Sequence, residues 1–178
     1  MTPIQQPRPN LTLISAAAVE PIQWGWFCGH CAATAPVSTP PDPSSRVCMS
    51  CGLGLLLETH RGAIPAPDEA FLVVDAGLSI QGMSRRAQLL LSVCEEEAVN
   101  RPVAELLVPA DAEAQATTRF AAAIVDAAAG GGELGSGYVR PWNTFGVRMR
   151  ARVAPCGPPR AALVILEERQ GRHLRPVC

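Results

Sequence analysis

The sequence predicts an α+β protein in two parts, a small module stapled through cysteines and a larger domain of strands and helices. Three observations predict it. Cys28, Cys31, Cys48 and Cys51 stand in C-x2-C-x16-C-x2-C spacing. A segment rich in Pro and small residues, 59–67, separates them from the rest of the chain. Beyond it the hydrophobic pattern runs strand, strand, several helices and then three strands.

Taken in order, residues 1–22 contain Pro3, Pro7, Pro9 and Pro21 without sustained periodicity and read as an extended N-terminal arm. The apolar run at 11–19 is too short for a membrane helix and has only Arg8 as a basic flank, which argues against a secretion signal. The cysteine module spans 23–58. Trp24, Trp26 and Phe27 lead into Cys28, as cover for one side of a site too small to have its own core. Pro36, Pro40, Pro41 and Pro43 mark a turn-rich loop between the cysteine pairs. Gly52 and Gly54 permit tight turning after Cys51, and residues 53–57 read as a short strand.

The linker is assigned to 59–67 and the second domain to 68–168. Residues 70–75 and 78–82 form an opening hairpin about Asp75-Ala76-Gly77. Ser84 is placed to cap a helix over 85–92. Short helical segments are expected at 95–99 and 101–108, then a longer helix from Pro109 to Ala129, stopped by Gly130, Gly131 and Gly132. Three strands close the domain at 133–140, 144–153 and 160–168, the last two joined by a turn over 155–159. Residues 169–178 form a short tail.

Two tight Cys-x-x-Cys turns can bring four thiolates onto one ion, and this spacing is that of a four-thiolate zinc site. Four soft ligands fill a tetrahedron and leave no position for water, so the expected zinc is structural. Seven cysteines in total, an odd number with four in metal spacing, point to a reducing compartment, and a cytoplasmic location is expected. Residues 24–58 resemble a zinc ribbon, in which paired knuckles clamp a small three-stranded sheet. A module of this size depends on its metal to fold.

The charge pattern bears on partners. All fifteen basic residues are Arg, and the net charge is −1. Residues 1–67 balance to zero, 68–168 carry −4 and the tail adds +3. Arg46 is the sole basic residue between Trp24 and Leu57. Clustered cations are what grip phosphates, so nucleic acid is a disfavoured partner. Val147, Met149, Ala151 and Val153 alternate with Arg148, Arg150 and Arg152, giving one apolar and one basic strand face. The basic face reads either as solvated surface or as a docking face for an acidic protein segment such as Glu95-Glu96-Glu97 of another protomer.

The segment 68–168 resembles a PAS domain. The resemblance is carried by Phe71-Leu72-Val73-Val74-Asp75 followed by Gly77, by residues 100–111 from Asn100-Arg101-Pro102 to Pro109-Ala110-Asp111, and by Gly157-Pro158-Pro159 before the last strand. The resemblance implies a five-stranded antiparallel sheet with helices across one face, and signal reception, often with homodimerisation. The histidines His30, His60 and His173 all lie outside 68–168, so the axial ligand of haem-binding relatives has no counterpart. The reactive Cys of flavin photosensors would fall near Val103, which argues against covalent flavin photochemistry. Phe71, Val73, Leu91, Phe120, Ile124, Val147, Met149 and Ile165 imply an apolar interior, either filled or holding a small apolar ligand. Cys94 reads as a small buried or half-buried helical residue rather than a redox sensor, and Cys156 and Cys178 receive no role.

No Ser-His-Asp set, Walker loop or catalytic effector segment is present, so no enzymatic activity is expected. The leading expectation is a regulatory protein whose ribbon docks onto a protein partner. The alternatives are a transcriptional regulator with a nucleic-acid-contacting ribbon and a thiol redox or zinc sensor.

Overall fold

The computed structural model describes residues 23–35, 41–110, 115–131, 134–144 and 146–167. The expected N-terminal arm, the tail with Cys178, part of the proline loop, residues 111–114 and Gly132 lie outside the described residues.

Strand formation follows the apolar and β-branched runs. The opening hairpin of the larger part is β4 (Ala70–Val74) and β5 (Ile80–Met83). Asp75 shapes their turn by accepting the backbone N–H groups of Gly77 and Ser79 through Oδ1, at 2.8 and 2.9 Å. Helix α1 (Arg85–Leu91) begins at Ser84, whose Oγ accepts from the N–H of Ala87 as an N-cap should. The four-residue α2 (Glu95–Ala98) comes next, and Cys94, expected as a buried or half-buried helical residue, is exposed at the position just before it. A 3₁₀ turn at Val103–Glu105 and a short strand β6 (Leu107–Pro109) replace the helix expected over 101–108, and the long helix α3 (Ala116–Ala128) starts later than Pro109. The reason is local: Pro102 and Pro109 bound the segment, and β6 pairs antiparallel with β7 (Gly135–Pro141).

The chain closes with β8 (Met149–Gly157) and β9 (Ala161–Glu167). Pro155 and Cys156, expected in the connecting turn, are paired strand residues of β8 opposite Ala162 and Ala161. Strands β5, β4, β9, β8 and β7 lie side by side, all antiparallel. One face carries the main core: Leu72, Val74, Ile80, Met149, Ala151 and Val153 pack with Ala87 and Leu91 of α1 and with Ile124 and Ala127 of α3. This is the five-stranded antiparallel sheet with helices on one face that the resemblance noted from the sequence implies.

The cysteine module contributes β1 (Trp24–Cys28), β2 (Thr34–Ala35) and β3 (Leu56–His60), with β1 between the other two. Here the structure departs from the expected organisation. Thr59 and His60, assigned to the linker, are strand residues, and the next turn, Arg61–Ala63, is 3₁₀. β3 pairs with β8 through Glu58↔Gly157 and Thr59↔Cys156, so the module's sheet continues into the larger one. β9 lies along one side of β8, while β7 takes the other side at Met149–Val153 and β3 takes it at Cys156–Gly157. Buried Thr59 adds a hydrogen bond from Oγ1 to the carbonyl of Pro155, at 2.8 Å.

A second core seals the junction. Phe27, Ala32 and Leu57 of the module pack on Phe71, Val73, Leu163 and Ile165, the sheet face opposite the helices, with Ile64 at the margin. Phe27 and Phe71 meet edge to face with centroids 5.7 Å apart. The single interior expected from sequence is thus two. Leu91, Phe120, Ile124, Val147 and Met149 face the helices, whereas Phe71, Val73 and Ile165 face the cysteine module.

Candidate metal centre

Alternation along β1 sets up the site. Phe27 points toward the large sheet, so Trp26 and Cys28 point the other way, into a third cluster with Cys48 and Leu56. Cys31, Cys51, Ala33 and Ala35 border that cluster. Trp26 covers it as expected from sequence, with the Arg46 guanidinium 5.9 Å from its ring centroid. Trp24 instead meets His60 edge-on at 4.5 Å.

The two Cys-x-x-Cys segments make the same turn. In each, the residue after the second cysteine donates its N–H to the carbonyl of the first: Ala32 to Cys28 at 3.0 Å and Gly52 to Cys48 at 2.8 Å. Both residues are left-handed, Ala32 at φ 60° and Gly52 at φ 69°. Glycine takes that conformation freely, whereas at Ala32 it costs about 1–2 kcal/mol. The N–H of Cys28 reaches the carbonyl of Ala33 and that of Cys48 reaches Gly54, closing each turn at its base.

The result is four sulfurs whose Sγ atoms all lie within 4.8 Å of one another. Cys28 and Cys51 are 3.7 Å apart, and Cys31 and Cys48 are 3.9 Å apart. A disulfide needs about 2.05 Å, so these are unbonded thiols. Ligands at about 2.3 Å around a tetrahedral ion stand about 3.8 Å from one another. The separations therefore fit a shared ion, and these four residues could hold a metal. Backbone amides support the sulfurs: His30 and Cys31 donate to Cys28 Sγ at 3.4 and 3.5 Å, and Gly54 donates to Cys51 Sγ at 3.4 Å.

These surroundings polarise the set. Burial pushes the Cys28 thiol up to about 12 and also raises Cys31. The N–H groups of Gly54 and Leu53 bring Cys51 down to about 6. At Cys48, burial acts upward, the amides of Cys51 and Ser50 and the Cys28 side chain act downward, and the net shift is downward. Four thiolates this close repel one another, and a dication is the species that lets all four ionise together.

No family model matches the chain, and no curated protein matches it. Among solved structures, the PAS domain of a protein from Colwellia psychrerythraea is 20% identical, with a TM-score of 0.45, over 58% of this chain and 88% of that one. The PAS domain of nitrogen regulation protein NR(II) from Vibrio parahaemolyticus is 18% identical, with a TM-score of 0.42, over 56% of this chain and 88% of that one. The E. coli DhaR(N)–DhaL complex matches at 13% identity and a TM-score of 0.38, over 56% of this chain but 31% of that one.

Other residues singled out by their sequence pattern lie away from the sulfurs. Met149, Ala151 and Val153 face the helices and Arg150 and Arg152 face away, as the alternation requires. The basic face is not an open docking stripe, however. Arg152 binds Glu167 at 2.6 Å and Glu69 at 3.0 Å, and the Arg148 guanidinium lies 3.9 Å from the Tyr138 ring centroid. Arg150 is the more exposed, 3.8 Å from Glu167. Glu95 is likewise engaged within the chain, accepting the N–H of Met83 at 2.9 Å. A groove of about 380 Å³ beside α3 and β7 is bordered by Arg119 and Arg150 as well as Phe120 and Tyr138, so it is not a purely apolar pocket. No described helix is long and apolar enough to cross a membrane.

Sequence reasoning assigned Gly54 to a tight turn and Glu95 to an acidic segment but missed the contacts these two make, and it gave no role to Thr59 or His30. A Cβ on Gly54 would fall onto Cys28 Sγ and come within 2.7 Å of His30 Cβ. The Gly-Leu-Gly run after Cys51 was the visible trace of that constraint. Nothing local announces the contacts of His30 and Glu95, which depend on the module's seat against the larger sheet.

Proposed function

We propose that the protein is a non-enzymatic cytoplasmic regulatory protein in which a structural zinc ribbon presents a docking surface to a protein partner. In this reading the PAS-like part receives a signal or dimerises. Cys28, Cys31, Cys48 and Cys51 hold the zinc, whose filled shell supplies cohesion and leaves no place for substrate.

The observation that carries the reading is the contrast between the two cysteine turns. The turn at residues 28–33 is seated against the larger sheet, with Ala32 buried. The turn at residues 48–54 faces outward, with Met49 98% and Leu53 75% exposed, and Val47 and Leu55 beside it are also exposed. Val47 and Leu55 are bridged across this turn, so these side chains stand on one small scaffold. Large apolar residues gathered at the outer end of a metal-stapled turn support an interaction role. The near absence of cations there supports a protein rather than a nucleic acid as partner.

The test is capture from native extract by the full chain, compared with Met49→Ser/Leu53→Ser. Both positions are solvent-facing, so the variant keeps its metal and melting temperature. The reading expects loss of the captured protein. Equal capture by both chains, or capture of nucleic acid that collapses with added salt, contradicts it.

A further inference from the structure

The inward cysteine turn does more than cover apolar surface. His30 sits between Cys28 and Cys31, and its backbone is bonded in both directions. Its N–H donates to Cys28 Sγ at 3.4 Å, and its carbonyl accepts the N–H of Arg85 at 3.1 Å. Arg85 is the first residue of α1, and first-turn amides of a helix have no partner within it. The cysteine module therefore supplies an acceptor that α1 cannot supply itself. The His30 imidazole makes a second link, with Nδ1 3.7 Å from Glu95 Oε2, while Glu95 Oε1 accepts the N–H of Met83 at 2.9 Å. Gly82 leaves room for that carboxylate, since a Cβ there would stand 3.3 Å from Oε1.

One residue thus joins a metal-ligand turn to three consecutive elements of the PAS-like part: the end of β5, the start of α1 and the start of α2. We propose that this contact couples metal occupancy to the conformation of the β5–α1–α2 corner, so that each state favours the other. The inference rests on the metal reading of the four cysteines. Without an ion, the turn at residues 28–33 is held by its hydrogen bonds and by packing. With one, its two sulfurs are tied to the outward turn, and the positions of the His30 carbonyl and ring are fixed. The coupling is reciprocal by thermodynamic necessity, so a change at the corner alters metal affinity by the factor with which metal alters the corner. Because the same ion holds the outward turn, the state of the corner also bears on the docking surface.

A double-mutant cycle in the full chain tests this. Zinc affinity is measured by competition with a chromophoric chelator for the parent, His30→Ala, Glu95→Ala and the double variant. Each single change is expected to weaken binding about fivefold, the low end of ordinary coupling, as suits partly exposed side chains. The double variant is expected to weaken it by about the same factor, because each change already removes the shared link. Unchanged affinity in the single variants, or a double variant weakened about 25-fold as two independent effects would give, overturns the proposal.

Amide exchange supplies a readout that does not depend on the variants. Zinc removal should speed exchange at Met83 and Arg85 by a larger factor than at Val153 and Val164 of the β8–β9 centre. An unaffected corner, or equal change at both places, overturns the proposal. A parent chain that takes up no zinc at all refutes the metal reading as well, whereas tight uptake with an insensitive corner refutes only the coupling.

Discussion

Replacing Phe27 by Ala tests whether the cysteine module and the larger sheet share one core. Phe27 is fully buried, but its neighbours are Phe71, Leu163 and Ile165 across the junction rather than the cysteine cluster. Phe→Ala at such a site costs about 3 to 5 kcal/mol through lost transfer energy and the cavity left behind. Both flanking strands hold the backbone in place, through β1 with β3 and β4 with β9, so little collapse can refill the space. For a chain of this size, each kcal/mol lowers the melting midpoint by about 2–4 °C, which gives a fall of about 6 to 20 °C. The assay is thermal unfolding of the zinc-loaded chain, followed in parallel by far-UV circular dichroism and by release of metal to an indicator. Both signals should fall together in Phe27→Ala, and neither should move by more than a degree or two in Met49→Ala, whose side chain is almost wholly exposed. If metal release shifts while the dichroism transition of the larger sheet stays in place, the two parts unfold independently and the shared core is refuted.

Other changes discriminate at single residues. Gly54→Ala should lower zinc affinity at least tenfold in a chelator competition, because the new methyl meets Cys28 Sγ and the His30 backbone N at 3.0 Å. Gly52→Ala meets nothing within 4 Å, and its left-handed φ of 69° should cost only about 1–2 kcal/mol, read as a modest fall in midpoint. Arg152→Ala should destabilise the fold by about 1 to 2 kcal/mol in urea titration, since it removes a charge-assisted hydrogen bond to Glu69 and an ion pair with Glu167 from a partly buried site. Arg150→Ala should stay within about 0.5 kcal/mol, as its longer ion pair is largely exposed. Zinc affinity should rise with pH by about tenfold or more per unit from 7 to 9, because burial holds Cys28 and Cys31 in the thiol form and binding must release their protons. A flat profile would show that these two thiols are not ligands.

Much of this was written in local patterns. The spacing of Cys28, Cys31, Cys48 and Cys51 announces the sulfur cluster because each pair closes its own turn, and only the meeting of the two turns is non-local. Ser84 and the hairpin around Asp75 were likewise legible, since a cap and an Asx turn are decided within a few residues. Pro109 misled because a proline can open a helix or lie in a short edge strand, and pairing of β6 with Val139 and Arg140 decided for the strand. The linker over 59–67 misled for a larger reason. Its Pro and Gly residues do mark a turn, but the turn begins only after His60, and whether Thr59 lies in a strand depends on Cys156, almost a hundred residues away. Sequence composition registers where a chain bends; it does not register which strand it meets on the far side. The same limit hid the contacts of His30 with the β5–α1–α2 corner and the pairing of Arg152 with Glu69.

Cobalt substitution of the full chain under reducing conditions tests whether four thiolates hold one ion in a closed tetrahedral shell. Saturation is expected at one cobalt per chain, with intense thiolate-to-metal charge transfer and the visible bands of a tetrahedral ion, all displaced by one equivalent of zinc. Cys48→Ser should lose most of that binding. Absence of a charge-transfer band, or a spectrum of weakly bound octahedral cobalt, would show that the four cysteines do not share one ion.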